Sequence, residues 1–205
     1  MGSLTADFSC RNIDSWFSSD AQMNHLYPKE IQLLDRKHWT PLSIAHISVE
    51  FLVPHKGVKI LDVGSGCGKF CLAGAYFKPL AHFFGVEQRE NLVGHAETAR
   101  RILKSENVTF LNQNITQLNF KQFDHFYFFN SFYENLMDTD KIDGSIVCSP
   151  HLYNYYNRYL CKQLSELRVG TRLVTFHSLD DKVPPGYELV EIQYGNSLKF
   201  WLKVA

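Results

Sequence analysis

Seven consecutive residues, Asp62-Val63-Gly64-Ser65-Gly66-Cys67-Gly68, and one later acid, Glu87, hold most of the chemistry legible in this chain. Glycines at alternate positions let the main chain turn sharply and approach a ligand with no Cβ in the way. Strand-to-helix turns also use glycine for packing, so the turn alone is a weak sign. Glu87 strengthens it. That acid lies nineteen residues beyond Gly68, where the end of a second strand brings a carboxylate to both hydroxyls of a ribose. Asp62 precedes the first glycine by two residues. It would repel a phosphate, whereas a ligand bearing an ammonium group would welcome it. The glycine spacing agrees. A dinucleotide turn has the pattern G-x-G-x-x-G, which sets a helix N-terminus on the pyrophosphate. Here the pattern is G-x-G-x-G, and Lys69 stands three residues after Gly66.

A nucleoside carrying an amino acid suits these residues, and S-adenosyl-L-methionine has a ribose, an adenine, an α-amino group and a sulfonium but no phosphate. Ile60-Leu61-Asp62-Val63-Gly64-Ser65-Gly66-Cys67-Gly68, with Gly85-Val86-Glu87, resembles the cofactor-binding core of class I S-adenosylmethionine-dependent methyltransferases. The resemblance runs from about Val58 to Ala205. It implies an α/β three-layer sandwich whose mostly parallel sheet has strand order 3-2-1-4-5-7-6, with strand 7 antiparallel. It also implies that Gly64, Ser65, Gly66 and Gly68 lie against the methionine portion, with Asp62 near the amino group. Glu87 would take the ribose hydroxyls and Gln88 would flank the adenine. After the third strand the family carries an acid for the adenine amine; this chain has Asn112-Gln113-Asn114-Ile115 instead. Asn114 is the best positional match, with Ile115 beside it, because a side-chain oxygen still accepts that hydrogen bond. A plain turn former explains Asn114 equally well.

Phe129-Asn130-Ser131-Phe132-Tyr133 closes the fourth strand, where this fold positions its methyl acceptor. The segment loosely resembles the Asn-Pro-Pro-Tyr element of amino methyltransferases. It is also similar to the Asn-Asn-Phe element of the non-SET histone lysine methyltransferases. Both prolines are missing, so no subfamily is assigned. By this resemblance Asn130 orients an acceptor nitrogen beside the cofactor and Tyr133 forms a pocket wall, acting by alignment and exclusion of water. A hydroxyl or acid acceptor would need a general base, and His151 and His177 are the nearest candidates. Thr40, in His38-Trp39-Thr40-Pro41, either helps close the cofactor pocket, as in several amine-modifying relatives, or caps a helix with Pro41 at its first position.

These residues need a scaffold, and the pattern along the chain supplies one. Residues 1–54 read as an N-terminal helical cap, with helical pieces over Ile13–Phe17, Lys29–Leu34 and Pro41–Leu52 broken at Pro28 and Pro41. Residues 55–205 read as the α/β core. Apolar runs at Val58–Val63, Ala81–Glu87, Val108–Leu111, Asp124–Phe129 and Thr171–Phe176 alternate with helical segments, as buried parallel strands do. Leu92, Ala96, Ala99 and Leu103 form a helical stripe. Leu152, Tyr156, Leu160, Leu164 and Leu167 predict a second long helix stopping near Gly170. A loop spans Ser131 to Pro150. Tyr187–Tyr194 and Ser197–Val204 predict a hairpin turning across Gly195-Asn196.

Composition excludes other classes. The chain has 205 residues, 45% apolar and 20% charged, with 21 basic and 21 acidic side chains. That is a globular domain with no general pull toward nucleic acid or anionic membrane. The acceptor is therefore expected on a protein or small molecule, as an amine or amide nitrogen, ahead of nucleic acid. Cys10, Cys67, Cys71, Cys148 and Cys161 are read as reduced thiols filling small buried spaces, and no metal is expected. The N-terminus lacks a signal-peptide pattern and has Ala6 where myristoylation wants Ser or Thr. A cytoplasmic protein is expected, with no membrane segment. Two other functions fit less well. One is a non-catalytic subunit that keeps the S-adenosylmethionine pocket; the other is a nicotinamide-dependent oxidoreductase, disfavoured by the third glycine and the closing hairpin.

Overall fold

The computed structural model describes residues 12–136, 141–178 and 182–205. Cys10 and the start of the chain lie outside the described residues. Seven strands, β1 (Lys59–Val63), β2 (His82–Glu87), β3 (Val108–Asn112), β4 (His125–Phe128), β5 (Arg172–Phe176), β6 (Tyr187–Gln193) and β7 (Leu198–Lys203), form one sheet. Its order is β3-β2-β1-β4-β5-β7-β6. β1 to β5 run parallel, and β7 lies antiparallel to both β5 and β6. The expected sheet is the observed one.

Side-chain alternation along the central strands builds two cores. Ile60, Tyr127, Val174 and Phe200 belong to a core on one face of the sheet. Leu61, Val63, Phe126, Phe128, Leu173 and Trp201 belong to the other. The first face is covered by α5 (Leu42–Leu52), α6 (Lys69–Phe77) and α7 (Glu90–Leu103). All four stripe residues of α7 are buried. The second face is covered by α8 (Pro150–Ser165) through Tyr153, Leu160 and Leu164. Ser149 caps α8, its side chain accepting from the Leu152 amide, with Pro150 at the first helical position. α8 ends at Ser165, before the expected stop near Gly170. Leu167 is still buried, but on the connection to β5.

Among the described residues four short helices precede α5: α1 (Ile13–Trp16), α2 (Asp20–Asn24), α3 (Lys29–Gln32) and α4 (Asp35–His38). Trp16, Met23, Tyr27, Ile31 and Trp39 join the first core, so this segment shares its apolar interior with the sheet. α2 and α4 were not read from the sequence. Each is about one turn long, too short to show periodicity. Within the expected loop after β4, Tyr133–Asn135 forms a 3-10 turn.

Candidate functional site

A cavity of about 630 Å³ opens over the carboxyl ends of β1, β2, β4 and β5, where a doubly wound sheet changes direction. Thr40, Asp62, Gly64, Ser65, Gly66, Glu87, Gln88, Asn114, Ile115, Asn130 and Tyr133 all line it. Of the expected site residues Gly68 does not, nor does the candidate base His151. Gly68 starts α6 at φ +82°, and a Cβ there would collide with the Phe110 ring and with Ala96. In this structure it packs closely behind the turn.

Four of the turn's backbone amides have protein acceptors. Gly64 N–H and Ser65 N–H donate to the Val86 carbonyl at 2.9 and 3.0 Å, and Gly68 N–H to the Ser65 carbonyl at 2.9 Å. Gly66 N–H donates to Glu87 Oε2 at 3.2 Å. None of these four faces a phosphate. Gly66 has φ +53°, and the Trp39 ring fills the space a Cβ would take. Ser65 Oγ is buried without a hydrogen-bond partner and packs over Gly85 of β2.

Two buried acids flank the turn. Asp62 is 4% exposed, and burial pushes its carboxyl up to about 8; the Cys71 thiol partly offsets this and the Glu87 charge adds to it. Burial also raises the pKa of Glu87, opposed by the Arg89 amide and charge and by the Gly66 amide. The two cations at this level are already matched. Lys69 Nζ sits 2.7 Å from Asp20 and 2.6 Å from Asp35. Arg89 is 2.7 Å from Glu134 and 3.1 Å from Asp143. Against the effect of burial, hydrogen bonds from Ser145, Asn91 and Arg89 hold Asp143 down to about 2.

Asn114 behaves differently from the expectation. Its Oδ1 accepts from the Thr116 amide at 3.1 Å and the Thr116 hydroxyl at 2.9 Å, capping the 3-10 turn Ile115–Gln117. Both lone pairs are therefore used, and this oxygen has none left for an adenine amine. Its Nδ2 donates to Gln88 Oε1 at 3.1 Å and to the Tyr156 hydroxyl at 2.8 Å. Thr40 is not a helix cap. α5 begins at Leu42 after Pro41 with no side-chain cap. The Thr40 hydroxyl meets the Tyr127 hydroxyl at 3.0 Å, buried under the cavity.

At the other end, Asn130 has φ +36° and its carbonyl accepts from Tyr133 N–H at 3.0 Å. Ser131 Oγ donates to the Val63 carbonyl at 2.6 Å, tying the end of β4 to the glycine turn. Tyr133 is 41% exposed. His177 lines the cavity beside Phe129 and Phe176, whereas His151 is exposed on α8 and lies outside it.

The set fits a nucleoside-linked amino acid: two carboxylates beside a turn with four occupied amides, and Lys69 and Arg89 next to it already paired. Comparison with known proteins agrees. A family model described as a methyltransferase domain matches residues 54–157, just over half of the chain. The chain belongs to this methyltransferase-domain family. A tRNA (guanine-N(7)-)-methyltransferase of Synechococcus sp. (strain JA-3-3Ab) is 47% identical over 55 residues, covering 27% of this chain and 23% of that protein. The structure of TrmN from Thermus thermophilus aligns with a TM-score of 0.58 at 18% identity, over 82% of this chain and 50% of that one. An RNA methyltransferase from Salinibacter ruber, in complex with S-adenosyl-L-homocysteine, aligns with a TM-score of 0.56 at 17% identity, over 80% and 93%. The chain thus matches about a quarter of the Synechococcus protein and half of TrmN.

In this methyltransferase domain several cavity residues escaped the sequence reading. Arg89 directly follows Gln88 and joins Glu87 to Glu134 and Asp143, a contact across the fold that no local pattern announces. Trp39 and Tyr156 reach the cavity from the cap and from α8. An aromatic on a helix facing a core has the same spacing whether it packs or binds. Among the described residues no group of three or more His, Cys, Asp or Glu is placed to hold a metal, and no helix is long and apolar enough to cross a membrane.

Proposed function

We propose that the protein transfers a methyl group from S-adenosyl-L-methionine to a nitrogen of a nucleic-acid acceptor, with S-adenosyl-L-homocysteine as product. The observation that carries the cofactor half is the glycine turn: the amides of Gly64, Ser65, Gly66 and Gly68 bond inward while Asp62 and Glu87 line the cavity. Asp62 holds the amino group, Gly64, Ser65 and Gly66 form the wall against the methionine portion, and Glu87 receives the ribose hydroxyls. Gln88, whose Oε1 keeps a lone pair beyond its bond from Asn114, takes over the adenine amine; Ile115 packs on the ring. When bound, the cofactor supplies a methyl already activated on a sulfonium. The protein's own task is then to aim the acceptor and exclude water. Asn130 orients the acceptor nitrogen, held by the Ser131 tie to the Val63 carbonyl, and Tyr133 walls the entrance.

The nucleic-acid acceptor replaces the protein or small molecule expected from the balanced charge. The Synechococcus and Salinibacter relatives are named for RNA acceptors, and the exposed Arg36 and Lys37 line the cavity mouth from α4. Whole-chain charge is the wrong scale for this question, since a local basic rim suffices to meet a phosphate. The test is calorimetric titration with S-adenosyl-L-homocysteine, followed by tritiated methyl transfer to unmodified tRNA transcripts. Binding is expected, Glu87→Ala should abolish it, and Asn130→Ala should remove transfer with binding kept. A correctly folded protein that does not bind S-adenosyl-L-homocysteine refutes the proposal.

A further inference from the structure

Among the described residues five non-glycine positions have φ above zero: Lys104, Asn130, His177, Tyr194 and Asn196. Lys104 caps α7, and Tyr194 and Asn196 turn the β6–β7 hairpin around Gly195. Asn130 and His177 have no such local reason. They follow the neighbouring parallel strands β4 and β5, which pair Phe128 with Thr175, and both line the cavity. Such backbone is uncommon outside glycine, although Asn and His adopt it more readily than most residues, and here neighbouring contacts hold it. For His177, at φ +50°, the N–H donates to the Ser197 carbonyl at 2.8 Å. For Asn130, the bonds of Tyr133 N–H and Ser131 Oγ do so.

Between these two residues lies a wall of rings. Ring centroids of Phe129 and Phe176 are 4.7 Å apart, those of Phe176 and His177 4.2 Å, and those of Phe129 and His177 5.9 Å. The wall carries no charged side chain of its own. Glu134, four residues beyond Asn130, is paired with Arg89. Its polar groups are one amide and one imidazole, which bond to the edge of a ring, beside aromatic surface that stacks on its face.

We propose that this end of the cavity is the acceptor subsite and takes a flat nitrogen heterocycle, a nucleobase swung out of a single strand. The base stacks on Phe129 and His177 with its edge against the Asn130 amide and the His177 imidazole. The inference rests on the methyl-transfer reading above and adds His177, Phe129 and Phe176 to it.

The test uses the full chain saturated with S-adenosyl-L-homocysteine and single-stranded RNA dodecamers carrying one central 2-aminopurine or pyrrolocytosine. A saturable fluorescence change on titration is expected. Phe129→Leu and His177→Asn should each weaken RNA binding about tenfold and leave affinity for S-adenosyl-L-homocysteine within about twofold. Asn tolerates the left-handed backbone, so the second variant keeps the loop. Absence of a fluorescence change, or RNA affinity indifferent to both variants, overturns the subsite while the methyl-transfer reading stands. Methyl label appearing on a lysine peptide in place of unmodified tRNA transcripts overturns it too. Failure to bind S-adenosyl-L-homocysteine at all removes the parent reading first.

Discussion

At the level of single side chains, Asp62 ties cofactor binding to pH. Its carboxyl titrates at about 8 because burial outweighs the Cys71 hydrogen bond and Glu87 adds negative charge, against about 3.9 when solvated. Between those values the folded chain holds a proton that the unfolded chain has released. This group's contribution to stability is therefore full below about pH 4 and is lost as pH rises through about 8. A ligand ammonium needs the carboxylate, so binding expels that proton. Affinity for S-adenosyl-L-homocysteine should rise by up to about tenfold per pH unit from pH 6 toward 8 and then level off. Calorimetry in two buffers of different ionisation enthalpy would show the released proton. Asp62→Asn should flatten the profile and abolish proton release; an unchanged slope in that variant would place the titration elsewhere. The motif made the importance of Asp62 legible, since a carboxylate before a glycine turn needs a cationic partner. The fate of Asn114 was not legible, because the Thr116 contacts that use up its oxygen depend on a 3-10 turn too short to leave a pattern.

Between elements, two contacts carry distinct energetic consequences. His125 on β4 is 6% exposed, and its Nδ1 accepts from the Arg172 amide at the start of β5 at 3.0 Å. Burial, with Arg172 and Arg168 adding to it, lowers its pKa to about 4 despite the Asp124 charge. The unfolded imidazole titrates near 6.5, so the unfolded state binds the extra proton between those values. Stability from this group is whole above about pH 6.5 and drains away as pH falls toward 4. Urea midpoints should drop across that window in the parent protein and drop less in His125→Gln. Lys69 is the second contact. Its ammonium joins α2 and α4 to the first turn of α6 through Asp20 and Asp35. Stripping a buried pair of one member costs roughly 3–5 kcal/mol, but both acids here are partly exposed, so Lys69→Met should cost about 2 kcal/mol. A lower urea midpoint at constant m-value would register it. The alternation of buried strands and helices was readable because β1, β4 and β5 are largely apolar runs and α7 carries a full four-residue stripe, whereas the strand order followed only from the resemblance to the methyltransferase family. What escaped were pairings such as Lys69 with Asp35, thirty-four residues apart, where neither spacing nor residue type names the partner.

Across the whole molecule, the cap and the sheet are joined at the cofactor cavity itself. Trp39 lies on Gly66, the Thr40 hydroxyl meets Tyr127 of β4, and Trp16, Met23 and Tyr27 share one apolar core with Ile60 and Val174. A cap bound only at its rim would melt first and leave the sheet folded. One sharing an uninterrupted core should unfold with the sheet, because exposing either part uncovers the other's apolar surface. A single calorimetric transition is therefore expected, with matching melting curves for Trp39 fluorescence, isolated by replacing Trp16 and Trp201 with Phe, and for far-ultraviolet circular dichroism. Cofactor binding should move that one transition as a unit. A ligand at a hundred times its dissociation constant adds about 2.7 kcal/mol, and a chain of this length gains roughly 2–4 °C per kcal/mol. S-adenosyl-L-homocysteine at that excess should raise Tm by roughly 5–11 °C without splitting the curve. A ligand that raised only a second, hotter transition and left an early fluorescence change in place would mean that the cap is energetically separate. The contacts of Trp39 and Thr40 would then cover the cavity without helping to form it.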